Sequence, residues 1–105
     1  MERPFELIKE KLGRQEILAQ LQEEAAELSV AASKLRRSLE EGSGSPITTG
    51  QALNMIMEEV ADVSVCLRAL KLDAPLNRLT VYRIMDEKAK RWADRLGIPR
   101  EDCDG

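Results

Sequence analysis

The chain has no histidine, and only one tryptophan, one tyrosine and one phenylalanine among its 105 residues. Without histidine there is no Cys/His zinc site and no Glu-x-x-His pair of the kind that holds a di-iron centre in a helical bundle. Its two cysteines, Cys66 in an apolar stretch and Cys103 in a polar tail, make neither a disulfide framework nor a Cys-x-x-Cys pair, which suits a reducing compartment. No apolar run approaches the roughly 18 residues of a membrane span, and the start Met1-Glu2-Arg3-Pro4-Phe5 lacks the apolar core of a secretory leader. The expectation is a cytoplasmic protein without a membrane partner. Positive charge is not in excess either: 16 Lys and Arg stand against 19 Asp and Glu, a net charge of −3, so a nucleic-acid surface, which needs clustered cations, is not expected. What remains is 43% apolar residues, mainly Leu, Ala, Val, Ile and Met, mixed with 33% charged ones. That composition predicts an all-α chain, one domain over residues 1–105, with a core small enough to be completed by association.

Punctuation divides the chain into helices. Pro4 opens a short first helix through Phe5, Leu7, Ile8 and Leu12, a lid on the bundle, and Gly13 ends it. From Arg14 to Leu39 there is neither Gly nor Pro, and Ile17, Leu21, Ala25, Leu28, Ala32, Leu35 and Leu39 recur at helical spacing, predicting one buried stripe. Gly42-Ser43-Gly44-Ser45-Pro46 reads as a mobile turn, and Thr48 or Thr49 caps a third helix over Gln51 to Leu72. Asp73 as cap and Pro75 in the first turn start a fourth helix that Gly97 and Pro99 terminate, leaving residues 98–105 as a frayed polar tail.

Two stretches carry candidate chemistry: Gln22-Glu23-Glu24-Ala25-Ala26-Glu27-Leu28 and Glu58-Glu59-Val60-Ala61-Asp62-Val63. A spacing of three places Glu24 with Glu27, and Glu59 with Asp62, on one side of a helix, one turn apart. On a helical wheel Glu24 and Glu27 flank the apolar stripe, Glu59 falls inside its own helix's apolar arc, Asp62 at the edge of that arc, and Glu23 and Glu58 further out. A carboxylate in an apolar arc needs a proton, a counter-charge or a metal. If the helices face each other, four carboxylates converge, and a hard divalent cation with oxygen ligands, Mg²⁺ before Ca²⁺, relieves their repulsion. Single acids beside a stripe are usually solvated flanks. Two such pairs on helices joined by a short loop are less easily explained that way.

The fourth helix adds cations. Val81, Met85, Ala89, Trp92 and Leu96 form its expected apolar stripe, with Lys88, Arg91 and Arg95 clustered beside it. They are candidates for a phosphate clamp, Arg offering a planar fork and Lys a point charge, against the plainer reading of cations opposing a helix C-terminal dipole. Met55, Met57, Met85, Trp92 and Cys66 read as packing residues, and Cys103 as an incidental thiol.

In order and spacing, Glu24-Ala25-Ala26-Glu27 followed one helical hairpin later by Glu59-Val60-Ala61-Asp62 resembles the ExxE and ExxD motifs of the MazG-like all-α nucleoside triphosphate pyrophosphohydrolases, the superfamily that also holds dimeric dUTPases. Glu23 and Glu58 fit the double-Glu form of those motifs, and Tyr82 to Leu96 resembles the basic last helix of small, phage-type members. The likeness spans roughly residues 13 to 97. It departs at Arg91-Trp92, where many members place an Asn, so the family's sugar and phosphate contacts do not carry over directly. The resemblance implies a four-helix-bundle-type fold completed as a homodimer or homotetramer. It implies hydrolysis of a nucleoside triphosphate, ribo or deoxy, to the monophosphate and pyrophosphate. It also implies Mg²⁺, with Mn²⁺ as a substitute, held by Glu24, Glu27, Glu59 and Asp62. Glu27 is then the candidate proton acceptor, Lys88 a catalytic cation, and Lys88, Arg91 and Arg95 the substrate contacts. The residues leave open a rival, a non-enzymatic helical interaction module held by interhelical salt bridges. A helical chorismate mutase would need core-facing cations in place of acids.

Overall fold

Two long helices carry the first part of the chain, and their inner faces follow one rule. The computed structural model describes residues 3–40, 42, 44–72 and 75–103, with side chains described from residue 78 onward in the fourth helix. Helix α1 (Arg3–Leu12) leads into α2 (Arg14–Leu39), followed by α3 (Thr49–Ala69), α4 (Pro75–Arg95) and a short α5 (Arg100–Cys103). There is no strand among the described residues, so the chain is all-α as its composition predicts. No described helix is long and apolar enough to cross a membrane.

The chain divides into two compact units, residues 1–72 and 73–105. In the first, α2 and α3 share the most extensive contact. The residues of α2 that are buried or half-buried include Ile17, Leu21, Glu24, Leu28, Ala31, Leu35 and Ser38, and on α3 they include Ala52, Ile56, Glu59, Val63, Cys66 and Leu70. Both series advance by alternating steps of three and four, the spacing of a coiled-coil seam. Ser38 Oγ lies 3.2 Å from Thr49 Oγ1 at one end of the pair, and Ile17 packs on Cys66 and Ala69 at the other, so the helices run antiparallel. The buried stripe of α2 is thus rotated from the expected one. Ala25, Ala32 and Leu39 are exposed, while Glu24, Ala31 and Ser38 face inward. On α3, Met57 and Val60 are exposed rather than packed.

Local chemistry sets the ends. Gly13 has φ 81° and ψ 167°, a conformation open to glycine alone. Its N–H donates to the Lys9 carbonyl at 2.9 Å and its carbonyl accepts from Ile17 N–H at 3.2 Å, so α1 stops and α2 starts on one residue. Helix α1 then folds back, Ile8 joining the Ile17 cluster and the Arg68 guanidinium sitting 5.1 Å from the centre of the Phe5 ring. Thr48, rather than Thr49, caps α3: its Oγ1 accepts from Gln51 N–H at 3.1 Å, and Gln51 Oε1 accepts from Thr48 N–H at 2.9 Å, a reciprocal box. Helix α3 ends at Ala69, before the expected Leu72. Lys71 takes φ 61°, Leu72 N–H reaches Leu67 carbonyl at 2.8 Å and Lys71 N–H reaches Arg68 carbonyl at 2.9 Å, a Schellman closure. The expected cap Asp73, Ser43 of the Gly-Ser turn, and Asp104 and Gly105 of the tail lie outside the described residues.

In the second unit α4 ends in the same closure, with Gly97 at φ 77° and the Ile98 and Gly97 N–H groups on the Ala93 and Asp94 carbonyls, 3.0 Å each. Where the sequence suggests a frayed tail, Arg100 to Cys103 form one helical turn. Arg100 clamps it to α4 with two hydrogen bonds to Asp94, of 3.0 and 2.8 Å. The expected apolar stripe of α4 is not packed away: Trp92 is 62% exposed, and Val81, Met85 and Leu96 are exposed too.

Candidate metal centre

The seam spacing brings acids to the α2–α3 interface because Glu24 and Glu59 occupy inner positions in both heptad series. Each is half-buried; Asp62, one turn beyond Glu59, is exposed. One ligand oxygen from each of Glu24, Glu59 and Asp62 lies within 4.8 Å of the other two, the distance over which carboxylates share one cation. Glu59 Oε2 is buried and has no hydrogen-bond partner. Among the described residues no lysine or arginine pairs with any of the three, and every neighbouring charge that acts on Glu59 is negative.

The electrostatics follow from that imbalance. Burial, first, and then the carboxylates of Glu24, Asp62 and Glu27 raise the Glu59 pKa from its ordinary 4.5 to about 6. Asp62 is also raised, by burial and then by Glu24 and Glu58. Protonated, Glu59 can donate to Glu24; ionised, it leaves like charges face to face. Cys66, one turn further along α3, is buried with Ile17 and Ala69, and its thiol is pushed up by burial and by Glu24 and Asp62. It is a poor thiolate there.

Helix geometry explains which predicted residues meet. Glu24 and Glu59 are inner-seam residues, and Asp62 follows Glu59 by one turn on the same side. Glu27 is exposed and lies outside the converging trio, though near enough for its charge to act on Glu59; Glu23 and Glu58 are exposed. One residue that the motif reading passed over is joined to the cluster: Gln20 Nε2 donates to Glu24 Oε1 at 2.7 Å. Its signal was in the sequence, since Gln20 stands four residues before Glu24 and such pairs meet on a helix surface.

An oxygen-only set from two antiparallel helices, with one buried oxygen lacking a donor, fits a hard divalent cation. Protein-family profiles, curated proteins and solved structures yield no match to this chain. The site therefore stands on its own geometry.

In the second unit Lys88, Arg91 and Arg95, with Trp92 and Asp94, border an open surface depression of about 540 Å3 on α4. The cations are exposed. Their neighbour Asp94 is held below the usual carboxylate range by its hydrogen bonds to Arg100.

Proposed function

We propose that the chain is a Mg²⁺-dependent nucleoside triphosphate pyrophosphohydrolase of the MazG-like type, working as a homodimer or homotetramer and converting a (d)NTP to the (d)NMP and pyrophosphate. The observation that carries it is the convergence of Glu24, Glu59 and Asp62 oxygens within 4.8 Å, with no lysine or arginine paired to them among the described residues and Glu59 Oε2 buried without a hydrogen-bond partner. The order of the two acidic motifs on the α2–α3 hairpin supports it.

The chemistry divides among named residues. Glu24, Glu59 and Asp62 would hold the metal, which would supply charge neutralisation at the phosphates and a lowered pKa of water. Glu27, outside the trio and exposed, takes the proton of the attacking water. By the resemblance alone, Lys88, Arg91 and Arg95 of the second unit would be the contacts to phosphoryl oxygens, with Lys88 offsetting the charge on the leaving pyrophosphate. An interaction module held by salt bridges is less well supported. Among the described residues the ion pairs are Arg83–Glu87, Lys90–Asp86 and Arg100–Asp94, and none joins α2 to α3.

The test is to incubate the protein with each common ribo- and deoxyribonucleoside triphosphate, with and without Mg²⁺, and to assay pyrophosphate separately from orthophosphate. Mg²⁺-dependent pyrophosphate that disappears in Glu59→Gln is the expected result. Orthophosphate in place of pyrophosphate, or turnover that survives Glu59→Gln, would reject the reaction or the site.

A further inference from the structure

The apolar residues that the α2–α3 seam leaves outside fall on one side of the hairpin. On α3, Leu53, Met57, Val60 and Ser64 each follow by one position the seam residues Ala52, Ile56, Glu59 and Val63, and all four are exposed. On α2, Ala25, Ala32 and Leu39 follow Glu24, Ala31 and Ser38 in the same way, and they too are exposed. One position is a turn of about 100° around a helix. Because both helices are right-handed and run in opposite directions, that step carries the two series to the same side. The residues one position before the seam, among them Glu23, Glu27, Glu58 and Asp62, lie on the other side. The hairpin thus has a second, open seam. Its α3 series carries no charge and its α2 series only Arg36, in a chain that is 33% charged. Depletion of charge is what marks the centre of a protein–protein contact.

The two halves of this face differ in height. Leu53, Met57 and Val60 stand up from α3, whereas Ala25, Ser29 and Ala32 keep the middle of α2 low. A face with one high and one low edge is complementary to itself: a half-turn about an axis parallel to the helices sets the high edge of each copy on the low edge of the other. Helix α3 has 21 residues and is about 30 Å long, and two packed helices span about 20 Å, so the face projects to about 600 Å2. Side chains give it more accessible area than that, close to the roughly 800 Å2 that each partner of a stable dimer buries. We infer that this face is the contact between two copies of the chain, the α3 ridge of each lying on the low middle of the other's α2 to close a four-helix bundle. Every neighbouring pair of helices is then antiparallel, and Glu23, Glu27, Glu58 and Asp62 stay on the outside. The inference rests on the homo-oligomer proposed above, names its surface, and does not depend on the reaction.

Sedimentation velocity of the full chain over a range of concentrations, with reductant present to keep Cys103 from cross-linking copies, tests it on the wild type and three variants. Met57→Arg puts a charge on the ridge and Ala32→Arg puts one on the low edge. Val65→Arg is the control, since Val65 is an exposed apolar residue of α3 that precedes seam residue Cys66 and so lies on the opposite side. All three side chains are exposed in the single copy, so circular dichroism should show unchanged helix content. The wild type should be a dimer, or a tetramer built from dimers. Met57→Arg and Ala32→Arg should each raise the dissociation constant of this contact by at least about 100-fold, taking dimer to monomer or tetramer to dimer, while Val65→Arg sediments as the wild type. If Met57→Arg assembles as the wild type does, or Val65→Arg dissociates equally, the surface is overturned and the oligomer stands. If Met57→Arg dissociates and Ala32→Arg does not, the packing of α3 on the other copy's α2 is overturned. A monomeric wild type overturns both the surface and the oligomer.

Discussion

Glu59 is a seam residue of α3 with one oxygen buried and unpartnered, and its proton affinity is the most direct readout of the cluster. Its pKa is about 6 in the folded protein against an ordinary 4.5, so between those values the folded state binds more protons than the unfolded one. Stability from this group is therefore fully present below about pH 4.5 and is lost as pH rises through 6. Asp62 acts in the same direction, whereas the Asp94–Arg100 contact acts in the opposite one, its contribution being lost as acid protonates Asp94. Two results follow for metal-free protein and for protein with Mg²⁺. Between pH 5 and pH 7 the Tm of the wild type, taken relative to Glu59→Gln, should fall without metal, because glutamine removes the charge. The Mg²⁺-induced rise in Tm should be larger at pH 7 than at pH 5, since protons and cation compete for the same oxygens. Differential scanning fluorimetry at the two pH values checks both, and a Mg²⁺ effect that is independent of pH would remove the carboxylates from the metal site.

At the scale of elements, the helix ends marked by glycine or proline were legible, and the rotation of α2 was not. Gly13, Pro75 and Gly97 act locally, through backbone angles and a missing N–H, and they set boundaries within a residue or two. The inner face of α2 is a question of which neighbour it meets. Ile17, Leu21, Leu28 and Leu35 belong to both the expected and the observed stripe, but alanines at 25, 26, 31 and 32 offer apolar choices on either side. Hydrophobicity alone selects Ala25 and Leu39 over Glu24 and Ser38. The structure selects the latter because Thr49 stands opposite Ser38, and Glu59 and Asp62 stand opposite Glu24, information that lies in the other helix. The end of α3 was missed for a related reason: its closing residue is Lys71 at φ 61°, with none of the glycine signal that marks Gly97. A lysine there bears the steric cost of the left-handed region. Lys71→Gly should therefore raise stability by about 0.5–1 kcal/mol, measured by chemical denaturation with an unchanged slope. Loss of stability instead would mean that the Lys71 side chain, beside Glu6, Lys9 and Glu10, contributes more than its backbone costs.

At the scale of the molecule, few large apolar side chains are out of solvent among the described residues. Among the described residues the buried apolar ones are Ile17, Ala31, Ala52, Cys66 and Ala69, and of these only Ile17 is both large and fully enclosed. Leu53, Met57 and Val60 on α3, Tyr82, Met85 and Trp92 on α4, and Leu96 just beyond it remain exposed, Met57 at 69%. A chain of this size with so thin an interior gains much from self-association. With the homo-oligomer proposed above, Tm should rise with protein concentration, and the emission of Trp92, the sole tryptophan, should shift to the blue as copies assemble. Sedimentation velocity over the same concentrations fixes the number of copies. A concentration-independent monomer with red-shifted Trp92 emission would rule the oligomer out. Length and composition led to the expectation of a small core completed by association, but not to which faces stay exposed, since composition counts apolar residues and not the faces they occupy.

The alternating polar and apolar layers between α2 and α3 have one more effect. A seam repeating every seven residues is nearly indifferent to a slip of one repeat, since aliphatic side chains would again find aliphatic side chains. In the observed alignment Ser38 meets Thr49, Glu24 meets Glu59 and Asp62, and Ile17 meets Cys66 and Ala69. Slide one helix by a repeat and each of those polar groups is set against an oily neighbour, with no donor, proton or ion in reach. The acids thus work as a key cut into an otherwise smooth rail, which lets the hairpin close in one position only.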